Sequence, residues 1–494
     1  MFRAIPLLLT LFVLSSVQTE ITGQPGQIVI THVTVIDATG APAQPDMTVI
    51  ITGDRITTIG KSKLVKIPPG AEVVDATGKF LIPGLLDMHI HLTIIPDRVV
   101  SREVIVPLLV AFGVTGVRDM GGDWQRIEQL RREIADGTIT GPHIIAPGPF
   151  VDGPQQANNV TLPVSTEDEA RLAVRKLKAD GVDFIKVQAT LSLPLWRAVI
   201  DEAKKLGIPV AGHIPERISA FDVARSTQRS VEHISPVIPG DAGVLLACSG
   251  KEAELRNELL EIGRLGQQPN ADRRQLRERQ GALMTQMVTT YDRKKCTGLL
   301  ALLAKNQVWA VPTQVFGRKF SPLDSNDHPK DDALRFIPLS TRTRWDQRRT
   351  VVIKNSTAGD YAFRRSLFEK SRALVGEMHR AGVKLLAGTD AIDGYVVPGL
   401  SLHEELALMV EAGLTPMEAL QTATRNPAVF FGRLNSQGTI AKGKIADLVL
   451  LDADPLADIS NTQKIHAVIL GGKLITQAKR QEMLSRVESF ASKH

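Results

Sequence analysis

Two histidines separated by one residue, His89 and His91, close the apolar run Phe80-Leu-Ile-Pro-Gly-Leu-Leu-Asp-Met-His-Ile-His91. In an extended chain alternate side chains share a face, so both imidazoles can reach one cation while Ile90 points into packing. The pair alone is equally well explained as two satisfied polar groups at a strand end. Further along stand Lys186 in Asp183-Phe-Ile-Lys-Val-Gln188, His213 after Gly212, His233 after Val231-Glu, and Asp390 closing Ala387-Gly-Thr-Asp390. Each has an ordinary reading by itself: Lys186 can snorkel or pair with an acid, and His233 can cap a sheet. Taken together, four imidazoles, one carboxylate and one lysine suit a two-metal centre in which the lysine bridges the ions. A neutral amine is a poor bridge, whereas its carbamate with CO2 supplies two oxygens. Nitrogen-rich ligation with carboxylate oxygens favours Zn2+, with Mn2+, Co2+ or Fe2+ as alternatives.

Those residues need a scaffold that brings distant segments to one rim. Strand-type runs recur at Phe80–His91, Val114–Asp119, His143–Ala146, Asp183–Gln188, Pro209–His213, Ser230–Ile234, Val308–Thr313 and Lys384–Asp390. Helical patterns such as Trp124–Ala135, Glu167–Ala179, Leu195–Leu206 and Ala362–Ala381 fall between them. Eight strands alternating with helices predict an α/β fold, a parallel (β/α)8 TIM barrel over residues 80–432, with its chemistry at the C-terminal strand ends. All six candidate ligands fall at that rim. Residues 240–305 read as a Gln- and Arg-rich helical insertion. Lys319–Asp360 is polar with no clear period, and either segment could be a lid or an oligomer contact. Short Val-, Ile- and Thr-rich runs in residues 24–79 and again in 433–494 predict a small β-sandwich built from both ends of the chain, followed by a terminal helix.

At 494 residues, 43% hydrophobic and 23% charged, the chain has the composition of a globular protein large enough for this architecture. The formal charge of +6 is local, since residues 251–350 hold 19 Lys/Arg against 12 Asp/Glu. No basic–aromatic interleaving accompanies it, so nucleic acid is not an expected partner. Arg3 precedes an apolar run from Ile5 to Val17, too short to span a bilayer comfortably. Residues 1–23 are therefore expected to be a signal peptide, giving a secreted or periplasmic protein without a stable membrane span. In that compartment Cys248 and Cys296 could form a disulfide or remain as two buried thiols.

Pro83-Gly-Leu-Leu-Asp-Met-His-Ile-His91, Gly113-Val-Thr-Gly-Val-Arg-Asp119, Gly212-His213, Val231-Glu-His233, Ala387-Gly-Thr-Asp390 and Gly443-Lys-Ile-Ala-Asp-Leu448 resemble the amidohydrolase superfamily. The similarity is to its imidazolonepropionase-like and prolidase-like metal-dependent hydrolases. The resemblance implies that His89, His91 and Asp390 bind one ion, His213 and His233 the other, and a carboxylated Lys186 both. Two such ions lower the pKa of a bridging water and polarise a carbonyl. Asp390 then serves as the proton shuttle, taking a proton on attack by the metal-bound hydroxide and returning it to the leaving amine. The expected reaction is hydrolysis of an amide-type C–N bond in a small N-acyl amino acid or dipeptide-like substrate. A lactone or phosphotriester hydrolase on the same centre, and a non-catalytic binding barrel, are the alternatives. Candidate substrate contacts are Tyr395, Thr313 and Gln314, with Gln155, Gln156 and Asn158 in a neighbouring loop. Arg118 and Asp119 are expected beside the rim as structural partners, and His143 should be remote. A homo-oligomer is compatible with the sequence.

Overall fold

The computed structural model describes residues 26–95, 97–154, 158–234, 243–324, 326 and 332–494. The expected signal peptide, Gln155 and Gln156 lie outside them. No helix among the described residues is long and apolar enough to cross a membrane.

Both chain ends build one sheet. Strands β1 (Gln27–Val35), β2 (Gln44–Thr52), β3 (Arg55–Lys61), β4 (Glu72–Asp75) and β5 (Phe80–Pro83) come from the start of the described chain. The nine strands of the parallel sheets follow: β6 (Leu85–Ile90), β7 (Val114–Asp119), β8 (His143–Ile145), β9 (Phe150–Asp152), β10 (Thr161–Pro163), β11 (Ile185–Val187), β12 (Val210–Gly212), β13 (Gln228–Glu232) and β14 (Trp309–Val311). Strands β15 (Leu448–Leu451), β16 (Ile465–Leu470) and β17 (Lys473–Ile475) return to the first sheet. Its order is β17-β16-β15-β5-β1-β2-β3, with β4 also paired to β1. The expected two layers are thus hydrogen-bonded as a single sheet, because β5 pairs with β1 on one edge and β15 on the other. Val49, Ile51, Leu81, Leu448, Leu450 and Ile469 share its core.

The run over residues 80–91, expected as one strand, is two. Pro83 offers the ladder no N–H, and Gly84 donates instead to the Asp447 carbonyl at 2.8 Å. A Cβ on Gly84 would lie 2.2 Å from Thr115 Oγ1, so only glycine lets the chain cross here from one sheet to the next. The boundary of the small sheet consequently falls after Pro83 rather than before Phe80.

The remaining sheets are parallel: β6-β7-β8 and β10-β9-β11-β12-β13-β14. Strands β9 and β10 were not anticipated. Lys384–Asp390, expected as the eighth strand, and the following Ala391 make only isolated bridges, and the backbone turns at Asp390, whose φ is 59°. Even so, they join two sheets. Ala310 and Leu386 exchange bonds with this segment and with β14 at 3.0 Å, while Met88 N donates to Ala387 O and His91 N to Ala391 O at 2.9 and 2.8 Å. Gly388 makes that approach possible, since a Cβ there would sit 2.7 Å from His89 N.

The insertion is helical, with helices Glu252–Gly266, Arg273–Thr289 and Arg293–Lys305, the last two capped by Asp272 and Asp292. Cys248 and Cys296 are disulfide-bonded within it. The polar stretch without clear period also contains a helix, Leu339–Lys354. Its buried face is Thr341, Trp345 and Arg349, a four-residue spacing in which only Trp345 is apolar, so hydrophobic periodicity does not register it.

Candidate metal centre

Three histidine rings are oriented by hydrogen bonds on one nitrogen. His89 Nδ1 lies 2.9 Å from Glu232 Oε2, and His91 Nδ1 lies 2.9 Å from the Gly121 carbonyl. His233 Nδ1 is 2.6 Å from Thr313 Oγ1, whose own hydrogen goes to the Pro312 carbonyl, so the threonine accepts from the ring. These partners assign the proton to Nδ1 in each ring and leave the Nε2 lone pairs unprotonated. All three converge on Asp390: His89 Nε2 and His91 Nε2 are 3.4 and 3.2 Å from Oδ1, and His233 Nε2 is 3.9 Å from Oδ2. Donor atoms of His89, His91 and Asp390 all lie within 4.8 Å of one another.

His213 follows β12, its ring centroid 5.0 Å from that of His233. Its buried Nδ1 has no hydrogen-bond partner among the described residues. A lone pair left bare in the interior is costly unless something binds it. Lys186, in the middle of β11, is 1% exposed. The six residues chosen from sequence are therefore all buried or nearly so, and the structure gathers four of them, His89, His91, His233 and Asp390, into direct contact range.

Burial dominates the electrostatics. It pushes His89 down to about 3, against the pull of Asp390 and Glu232. His213 is held well below the ordinary histidine value by burial and by the neighbouring Lys186, and His233 is lowered by burial. Neutral imidazoles are the form that donates to a cation. His91 is raised despite burial by its contact with Asp390. Burial alone would raise Asp390, but the imidazoles of His89, His91 and His233 hold it below the usual carboxylate range.

A second layer of charges fixes this arrangement, and its key member was not singled out in the sequence. Glu232 receives Arg118 Nη2 on both oxygens at 2.9 and 2.8 Å and Ser230 Oγ at 2.5 Å, besides His89. Arg118 also donates to Met88 O at 2.6 Å and Ser230 Oγ at 3.0 Å. Both residues are completely buried. Two opposite charges in apolar strands must pair with each other, and that was the available signal. Asp87 similarly accepts from His89 N, Thr389 N and Thr389 Oγ1 at 3.1, 3.1 and 2.6 Å, stapling β6 to residues 384–391. His233, Thr313 and Asp390 all have left-handed backbones, with φ of 62°, 47° and 59°. Such strain persists only where the surroundings enforce it and clusters at functional sites.

Of the candidate substrate contacts, Thr313 orients His233 as described. Gln314 borders, with His233 and Thr313, a cavity of about 660 Å3. Tyr395 instead donates to Asp346 Oδ1 at 2.8 Å, with its ring packed on Trp345 and Arg349. His143 pairs with Asp447 at 3.1 Å, away from the histidine cluster.

The pattern of the Amidohydrolase family matches residues 80–247 and 335–475, most of the chain apart from its ends and the segment between. Among curated relatives, an imidazolonepropionase of Mesorhizobium japonicum is 25% identical over 404 residues, covering 79% of this chain and 82% of that protein. An adenine deaminase of Carboxydothermus hydrogenoformans is 39% identical over 85 residues, but the match spans 17% of this chain and 13% of the relative. Among solved structures, a Xaa-Pro dipeptidase with methionine bound in its active site superposes with a TM-score of 0.63 at 20% identity, covering 91% of this chain and 100% of that one.

Proposed function

Because the chain belongs to the amidohydrolase family, as a hydrolase acting on carbon–nitrogen bonds, we propose that it cleaves an amide bond in a small N-acyl amino acid or dipeptide-like substrate. The observation that carries this reading is the convergence of three Nδ1-anchored imidazoles on one buried carboxylate. The donor set fits divalent cations, Zn2+ first. His89, His91 and Asp390 would hold one ion and His213 and His233 a second, with Lys186, carboxylated by CO2, reaching both. When bound, such ions lower the pKa of a water and polarise a carbonyl oxygen.

The chain's own residues supply the rest. Asp390 takes the proton of the attacking water and passes it to the leaving nitrogen. Glu232, itself neutralised by Arg118, keeps His89 in the tautomer that leaves Nε2 free, and Thr313 does the same for His233. We read the two parallel sheets, joined through residues 384–391, as a (β/α)8 barrel with these residues at one rim. We also place the protein outside the cytoplasm, which the short apolar N-terminal run and the disulfide support.

Hydrolysis of N-acyl amino acids, dipeptides, lactones and phosphotriesters by the purified protein, before and after metal removal by a chelator, tests the proposal. Chelator-sensitive turnover confined to the amides is the expected result. Turnover only of lactones or phosphotriesters, or turnover of amides by protein shown to be metal-free, would overturn it. A metal-loaded crystal structure with an unmodified Lys186 would remove the carboxylation.

A further inference from the structure

The cavity that begins at the metal centre is larger and more apolar than a small dipeptide requires. Its inner end is His233 and Thr313, 4% and 3% exposed, and it also reaches Arg274, whose side chain is 84% exposed. It therefore runs from the buried histidines to the surface. Four helices wall it. Met284 projects from Arg273–Thr289, Phe320 from Gln314–Phe320, Val352 from Leu339–Lys354, and Phe363, Leu367 and Phe368 from Ala358–Arg380. On that last helix Leu367 and Phe368 follow Phe363 by four and five residues, so the three lie within about a turn of one another beside the polar Asp360, Arg364 and Ser371.

Several of the polar and charged groups around the passage are paired with one another. Arg274 pairs with Glu278 at 3.0 Å, and Arg364 donates to Ser356 Oγ at 2.8 Å. A volume of about 660 Å3 lies in the range that encloses a drug-sized ligand lined by apolar walls and a few polar groups. The walls formed by Met284, Phe320, Val352, Phe363, Leu367 and Phe368 are matched to hydrocarbon.

We propose that the passage from His233 and Thr313 to Phe363, Leu367 and Phe368 is an acyl-binding tunnel, and that the substrate is an amide bearing a long alkyl or an aryl group. The inference rests on the amide-hydrolysis reading above and names the substrate class within it. Two of the walls, Met284 and Phe320, lie between the two stretches matched by the family pattern, and Met284 belongs to the helical insertion.

Gly281 provides a test that does not endanger the fold. It borders the tunnel on helix Arg273–Thr289, and a Cβ built there meets nothing within 4 Å. Gly281→Phe also replaces a helix-weakening residue. The metal-loaded full chain is assayed with N-acetyl-, N-butanoyl-, N-hexanoyl-, N-octanoyl- and N-benzoyl-phenylalanine. Burial in the tunnel raises kcat/KM by about fourfold per methylene until it is filled. Gly281→Phe lowers kcat/KM for the octanoyl amide about tenfold or more, the loss of roughly two buried methylenes, and affects the shorter acetyl amide much less. Calorimetric binding of acetate, butanoate, hexanoate and octanoate to the same protein gives a readout independent of turnover. Amide turnover with kcat/KM flat or falling along the series overturns the tunnel while leaving amide chemistry intact. If no amide is cleaved, the chemical reading fails, and the tunnel stands or falls on whether acid affinity rises with length and is lost in Gly281→Phe.

Discussion

His233 and Arg274 border the same cavity under opposite conditions. The histidine is 4% exposed, its Nδ1 fixed by Thr313 and its Nε2 facing Asp390. The arginine's side chain is 84% exposed and held by one ion pair, with Glu278. Around His233 each polar atom is positioned by another buried polar atom, so a change propagates through the set. Around Arg274 the neighbours are solvent and helix surface, where a change stays local. The deep end thus constrains the chemistry, while the outer walls leave the chain free to alter what the chemistry acts on.

Removing the anchor beneath the deep end should have the largest effect. Glu232→Ala leaves Arg118 charged, completely buried and without its carboxylate, a loss of about 3–5 kcal/mol in stability. His89 also loses its orienting acceptor, so metal affinity should fall about 10- to 100-fold. Denaturant unfolding and metal titration measure the two effects, and a variant that unfolds and binds metal like the parent would show that the pair is dispensable.

Asp390→Asn keeps the shape but not the basic carboxylate. Turnover should fall about 100-fold or more, with metal occupancy by elemental analysis falling much less. Wild-type turnover at full occupancy would move the proton shuttle to another residue.

Glu405, on helix Leu400–Glu411, is fully buried, with Oε2 accepting from Val315 N at 2.7 Å. Burial pushes its carboxyl up to about 8. From its ordinary value near 4.5 up to about 8 the folded protein keeps a proton that the unfolded chain releases. Its contribution therefore makes stability fall as pH rises through that window, by an amount on the order of a few kcal/mol. Glu405→Gln should flatten this part of the stability profile, read as the difference in Tm between pH 5 and pH 8. An unchanged slope would show that Glu405 is ionised in the folded protein.

The smallest effect belongs to the outer wall. Glu278→Ala removes the exposed partner of Arg274, and an exposed i,i+4 pair is worth about 0.3–0.5 kcal/mol. Thermal unfolding should barely move, and a loss comparable to that of Glu232→Ala would erase the contrast between the regions.

The same contrast explains what could be read in the sequence. β7 and helices Trp124–Ala135 and Glu167–Ala179 coincide with the sequence-based boundaries, the helices because their apolar periodicity reports burial directly. The His-x-His pair was ambiguous alone and drew its meaning from Lys186, His213, His233 and Asp390 at other predicted strand ends; folding brings His89, His91 and Asp390 within contact range. Glu232 was not, because its meaning depends on Arg118, a residue of another strand brought alongside only by folding. Lys384–Asp390 looked like a strand from composition, yet its left-handed turn at Asp390 is imposed by bonds to His89 O, including one from Asp390 N at 2.7 Å. Tyr395 looked free to face substrate until the helix Leu339–Lys354 supplied Asp346 and Trp345 as its neighbours.

The place of β5 also bears on how the protein is made. During synthesis β1–β5 emerge first, but one edge of β5 finds its antiparallel partner only when β15 leaves the ribosome. Throughout that interval the strand presents unpaired backbone N–H and C=O groups to any other extended chain. The small sheet therefore cannot finish as an early, independent unit. Its completion waits on nearly the whole polypeptide, so nascent chains stopped short of β15 expose an adhesive edge that the finished molecule conceals.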